Sequence, residues 1–153
     1  MSLYRSSTFD DNPREIYYQA YLHRIAAEQQ NGPPPLSDLD NWWFHGPAGS
    51  GKSHAAREEN PVFYLKRFDK WWDGYENEPC VIIEDYTPEY SKFLTPDLKK
   101  WADYDAFSAD IRGELIFIRP AKIIVTSNYT MDQCFSSPQL ECMLRRFKTR
   151  DFS

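Results

Sequence analysis

The chain has 153 residues, of which 41% are apolar and 16% aromatic. This excludes a disordered or fibrous polypeptide and leaves enough material for one buried core. Eighteen basic and 23 acidic residues give a net charge of −5, which excludes a module that holds nucleic acid by bulk positive charge alone.

Met1-Ser2-Leu3-Tyr4-Arg5 lacks the apolar stretch of a secretory leader, and no apolar run approaches the length that spans a bilayer; no membrane partner is expected. Cys80, Cys134 and Cys142 form no C-x-x-C pair, and no His/Cys cluster has zinc spacing. Reduced thiols in an intracellular setting are the expectation.

Pro13 opens a helical stretch that runs to about Gln30, with a rough apolar period through Ile16, Ala20, Leu22 and Ala27. Asn31-Gly32-Pro33-Pro34-Pro35 ends it. Residues 1–40 thus read as a small helical segment plus a stiff linker, and 41–153 as the main domain. Trp42-Trp43-Phe44 is a short, fully apolar run, as in a buried strand. A glycine loop follows, then a helix from Lys52 to about Glu59. Val62–Leu65 is a candidate strand, and Cys80-Val81-Ile82-Ile83 is a second buried strand, ending in Glu84-Asp85. Thr95 or Asp97 is expected to cap a helix running to about Tyr104. Residues 106–118 read as a hairpin turning at Arg112-Gly113. Lys122–Thr126 is a third buried strand, Pro138–Arg146 a helix and Phe147–Phe152 a last strand. Buried strands separated by helices predict an α/β sheet with helices on its faces.

Gly46-Pro47-Ala48-Gly49-Ser50-Gly51-Lys52-Ser53 matches G-x-x-x-x-G-K-[ST] at every fixed position, between a strand and a helix. Such a loop turns successive backbone N–H groups toward phosphate oxygens, and the N-terminus of the next helix adds partial positive charge. Lys52 is placed to reach the β- and γ-phosphates of ATP, and Ser53 to ligate Mg2+. The nucleotide-binding set runs from Gly46 through His54. A loop of this kind needs a metal carboxylate and a group that aims the attacking water. Glu84 is assigned to the metal and Asp85 to the water, although the order of the two is open. Asn128, which closes the third strand, can hydrogen-bond both the γ-phosphate and the water, as a sensor of nucleotide state. Of the tryptophans, Trp42, Trp43 and Trp101 read as core, and Trp71-Trp72-Asp73-Gly74-Tyr75 as a surface loop.

With these motifs in place the chain resembles the superfamily 3 helicase domain of replication-initiator proteins from circular single-stranded DNA viruses, circovirus-like ones in particular. The resemblance covers about Asn41 to Phe152. It rests on the loop at 46–53, Lys70-Trp71-Trp72-Asp73-Gly74-Tyr75, Val81–Tyr86, Ile123–Asn128 and Leu144-Arg145-Arg146-Phe147. It implies a P-loop NTPase of AAA+-like build with a mainly parallel sheet, and a 3′→5′ motor on single-stranded DNA. It also implies a homo-oligomer, a hexameric ring, in which an arginine of one subunit completes the site of the next. Arg146 is the first choice for that finger and Arg145 the second. On the hairpin, Arg112 stands where circovirus-type relatives place Lys for gripping DNA; Lys122 is a further DNA-binding candidate, and Arg119, Lys99 and Lys100 are lesser ones. Family members begin with an endonuclease domain built on a His-hydrophobe-His motif. His23, His45 and His54 stand alone, so that partner domain is expected outside this chain. Viral relatives imply the host nucleus. Two other readings of the same loop are a small P-loop kinase and a non-catalytic, nucleotide-dependent assembly module.

Overall fold

The computed structural model describes residues 13–29 and 33–153. Helix α1 (Pro13–Gln29) leads into a proline-rich stretch and then strand β1 (Asn41–His45). Helix α2 (Lys52–Glu59), strand β2 (Phe63–Leu65) and strand β3 (Cys80–Tyr86) follow. A 3-10 turn at Pro88–Tyr90 runs into α3 (Ser91–Trp101). Strands β4 (Phe107–Ile111) and β5 (Glu114–Ile118) precede β6 (Lys122–Ser127), and α4 (Met131–Cys134), α5 (Gln139–Arg146) and β7 (Phe147–Asp151) complete the order.

The main sheet has strand order β2-β3-β6-β1-β7, and every pairing in it is parallel. Parallel sheets are covered on both faces, which is why β1, β3 and β6 read as unbroken apolar runs. Side chains alternate between the faces. Trp43, Val81, Ile83, Ile123 and Val125 join the larger core with α3, α5 and the inner side of the β4–β5 hairpin. Phe44, Cys80, Ile82 and Ile124 meet Ala56 of α2 in a smaller cluster. Buried Asn41 ties four elements together. Its amide donates to the carbonyls of Ala102 (2.9 Å) and Arg146 (3.2 Å), and its oxygen accepts the Ile123 N–H (2.9 Å).

The hairpin lies where it was expected, as a separate antiparallel pair with Ile111 opposite Glu114. Arg112 and Gly113 both hold positive φ (54° and 84°), the pattern of a two-residue turn whose twist suits the strands. The proline-rich stretch is docked on the domain: the Leu36 N–H donates to Tyr104 O (3.0 Å) and the Arg119 guanidinium to Pro34 O.

Local expectations change in four places. Helix α3 begins at Ser91, before Thr95 or Asp97. Pro96 sits inside the helix; the carbonyl that loses its usual partner is that of Lys92, and both residues are exposed. Thr95, taken as a cap, instead donates its hydroxyl back to Ser91 O (2.7 Å). Helix α4 was not foreseen, although Thr130 and Gln133 spell out its capping box. Trp72 and Tyr75 are each 1% exposed, so the segment read as a surface loop turns two of its three aromatic rings inward. Trp43 and Trp101 are buried as expected, while Trp42 is only half-buried.

Among the described residues no helix is long and apolar enough to cross a membrane.

Candidate functional site

In an all-parallel sheet the C-terminal strand ends share one edge, and the order β3-β6-β1 makes the three motif-bearing strands neighbours. The glycine loop leaves β1 and enters α2. Gly46 holds φ 156°, and a Cβ there would stand 3.0 Å from Phe152 Cβ and 3.1 Å from its carbonyl carbon; the sequence needs glycine because the backbone behind it is already occupied. Gly51 precedes α2 at φ 93°. The loop is closed by Ser50 N–H to Pro47 O (3.2 Å). The N–H groups of Gly49, Gly51, Lys52 and Ser53 have no acceptor among the described residues. These are the donors at the loop and at the helix N-terminus that suit an anion.

Lys52 is 6% exposed. Its ammonium donates to Gly46 O and Pro47 O (both 2.8 Å), Ser50 Oγ (3.4 Å) and Asn128 Oδ1 (3.2 Å). Two residues predicted to act on the same phosphate, on different elements, are therefore in contact. The unpaired N–H groups and a buried cation fit a polyphosphate, and Ser53 with Glu84 supplies oxygen donors that suit Mg2+.

Glu84 and Asp85 sit in a β-bulge. Ile83 pairs with Val125 and Tyr86 with Ser127, so β3 carries one residue more than β6 across this interval. Bulges re-aim side chains. Asp85 takes φ 62°; its N–H donates to Thr126 Oγ1 (3.2 Å) and its side chain is exposed. Glu84 turns toward α2, where Arg57 grips it through Nε to Oε2 (2.8 Å) and Nη2 to Oε1 (2.9 Å). Arg57 stands four residues after Ser53, on the same helix face. Glu84 is thereby held against the helix that carries Ser53. Sequence reading missed Arg57, for which that spacing was the available signal. His54 is exposed and pairs with Glu58 on its own helix (3.5 Å).

The other candidates are placed apart from this cluster. Arg146 donates to Lys99 O (3.0 Å), Cys142 O (2.9 Å) and Asp103 Oδ2 (2.9 Å), a clamp between α5 and α3. Arg145 is exposed and has no hydrogen bond or ion pair among the described residues. Arg112 is exposed at the hairpin turn, its guanidinium 4.1 Å from the Tyr18 ring centroid of α1. Lys122 begins β6, on the sheet edge away from the glycine loop, and pairs with Asp40 (3.3 Å).

The Trp71–Tyr75 segment, whose role the sequence left open, braces the hairpin. Asp73 Oδ1 accepts the Arg112 N–H (2.7 Å), and the Trp72 N–H donates to Asp110 O (2.9 Å). Behind it Lys66, 2% exposed, lies 5.2 Å from the Trp72 ring and 4.7 Å from the Trp101 ring. Its ammonium donates to the carbonyls of Arg67 and Asp69. Burial pushes this amine down to about 8, with the Asp69 carboxylate opposing the shift.

A parallel α/β sheet with a strand, a phosphate-type glycine loop and a helix, and with acidic and amide groups at adjacent strand ends, defines a domain of P-loop type. The family model described as RNA helicase matches residues 42–129, more than half of the chain, and the chain belongs to that family. It is 34% identical over 104 residues to the replication-associated protein of Human associated cyclovirus 1, covering 63% of this chain and 36% of the relative. It is 31% identical over 113 residues to that of Porcine circovirus 1, covering 70% and 35%. To that of Canary circovirus it is 34% identical over 97 residues, covering 59% and 32%. The chain thus spans about a third of the length of the curated relatives it matches. The resemblance to the superfamily 3 helicase domain of circovirus-like replication-initiator proteins holds.

Proposed function

We propose that this chain is the ATP-hydrolysing motor of a viral replication-initiator protein, a 3′→5′ DNA helicase domain acting in rolling-circle replication. The observation that carries the reading is the buried Lys52 ammonium joining the loop carbonyls to Asn128, beneath unpaired backbone donors. The strand order, with β1 between β6 and β7, supports an AAA+-like build. On nucleotide binding Lys52 exchanges its internal acceptors for β- and γ-phosphate oxygens. Asn128, freed from Lys52, is left to hydrogen-bond the γ-phosphate. Asp85 orients the water that attacks the γ-phosphorus and takes up its proton, as the bond to the ADP oxygen breaks. Ser53 and Glu84 would hold Mg2+, which supplies charge neutralisation between the phosphates.

A motor of this class completes its site with a cation from outside the subunit. We assign that to an arginine from a neighbouring copy in a head-to-tail ring, a hexamer. Arg145 suits the task, because Arg146 is committed inside its own subunit. Arg112 takes DNA phosphate at the hairpin turn, and the endonuclease domain and the host nucleus complete the setting proposed for the whole protein.

The test is phosphate release with and without single-stranded DNA. Release that rises with DNA supports the motor. Consumption of ATP only with a small acceptor supports a kinase, and binding without turnover an assembly module. Lys52→Ala is expected to abolish hydrolysis; turnover at the parent rate in that variant would remove the phosphate-loop assignment.

A further inference from the structure

We propose that Arg57 is a positioning residue for the metal-side carboxylate: it holds Glu84 in the empty site and gives it up when metal and nucleotide enter together. The inference rests on the reading of Glu84 given above. Three observations carry it. Arg57 engages both carboxylate oxygens, at 2.8 and 2.9 Å, so neither is left fully available to a cation. It stands one helical turn beyond Ser53, on the same face of α2. Its side chain is 46% exposed, while that of Glu84 is 18% exposed, so Arg57 can swing into solvent while Glu84 stays at the site.

The bulge gives the pairing its purpose. A glutamate at an irregular strand end has three rotatable bonds and many positions; a planar guanidinium that binds it bidentately selects one. Arg57 thus fixes the carboxylate against α2 and keeps its charge balanced until a divalent cation replaces the guanidinium. Contact between Arg57 and the Phe63 ring (5.5 Å to the centroid) guides the guanidinium from the other side. Occupancy of the site by metal and by Arg57 is then mutually exclusive, and metal affinity is lowered by the competition.

The experiment measures affinity for a fluorescent ATP analogue with Mg2+ and with EDTA, apart from any hydrolysis. Arg57→Gln is expected to raise the ratio of the two affinities about fivefold, the scale of a partly exposed ion pair. Arg57→Lys, which keeps the charge but not the fork, should fall between. In a Glu84→Gln background the same Arg57→Gln change should leave the ratio unmoved. An equal rise in that background would mean that Arg57 acts on the phosphates directly and would overturn the proposal, as would no rise in the parent. If the parent chain binds no nucleotide at all, the reading of the site fails first; if it binds and the ratio is insensitive to Arg57, only the positioning role fails.

Discussion

Arg146 donates three hydrogen bonds within its own chain, to Lys99 O, Cys142 O and Asp103, whereas its neighbour Arg145 projects into solvent. The two substitutions should therefore separate cleanly. Arg146→Ala is expected to cost about 1–2 kcal/mol of stability, the worth of hydrogen bonds from a charged donor that ties α5 to α3, read as a lower urea midpoint. Arg145→Ala should leave the midpoint unchanged and remove turnover, with activity returning when its subunits are mixed with Lys52→Ala subunits. Should Arg145→Ala turn over normally, the cross-subunit assignment moves elsewhere. The distinction was not legible in the sequence, because adjacent arginines in a last helical turn look alike until the partners of each are known. The place of Glu84 at a strand end was legible, but its hold on Arg57 was not, since a bulge decides which way it points. Lys66 was missed for a related reason: in Leu65-Lys66-Arg67-Phe68 a lysine reads as solvated, and only the two tryptophan rings brought together from 72 and 101 make a buried place for it.

At the level of elements, the segment from Lys66 to Tyr75 links the edge of the sheet to the hairpin. Lys66 N–H donates to Ile82 O (2.8 Å) on the acid-bearing strand, and Trp72 N–H to Asp110 O (2.9 Å) on β4. The Lys66 ammonium between them gives this link a pH signature. Its folded-state value is lowered to about 8 from 10.5, so below pH 8 both folded and unfolded chains carry the proton and the burial penalty is fully felt. Between pH 8 and 10.5 the unfolded chain binds more protons, and stability gained from this group rises with pH. The stability of the parent relative to Lys66→Met should thus improve across that window, by at most about 1.4 kcal/mol per pH unit. The phenols of half-buried Tyr64 and buried Tyr86, each pushed up to about 12 by desolvation, act in the opposite sense, but they are common to both proteins and cancel in the difference. A flat difference would show that the ammonium is not desolvated. The strands of this layer were legible: β1, β3 and β6 are unbroken apolar runs because a parallel sheet is covered on both sides. The start of α3 was not, because Thr95 and Asp97 are residue types that favour caps, whereas the helix begins at Ser91 and runs on through Pro96.

For the whole molecule, the net charge of −5 means that any hold on DNA depends on local cations in a repelling field. If Arg112 contacts a phosphate, Arg112→Ala should flatten the plot of log affinity against log salt by about 0.7 for each subunit engaged. An unchanged slope would place the DNA elsewhere. Arg112 itself was legible from hairpin and turn; its stacking on Tyr18 of α1 was not, since the two are far apart in the chain.

Among the described residues strand β7 pairs only with β1, and Phe152 just beyond it stands behind Gly46. A ribosome therefore releases every residue of the glycine loop roughly a hundred positions before it releases the wall that shapes it. Throughout that interval β1 is a bare sheet margin, and a nascent chain halted short of Phe147 would display the complete phosphate signature on a seat not yet built.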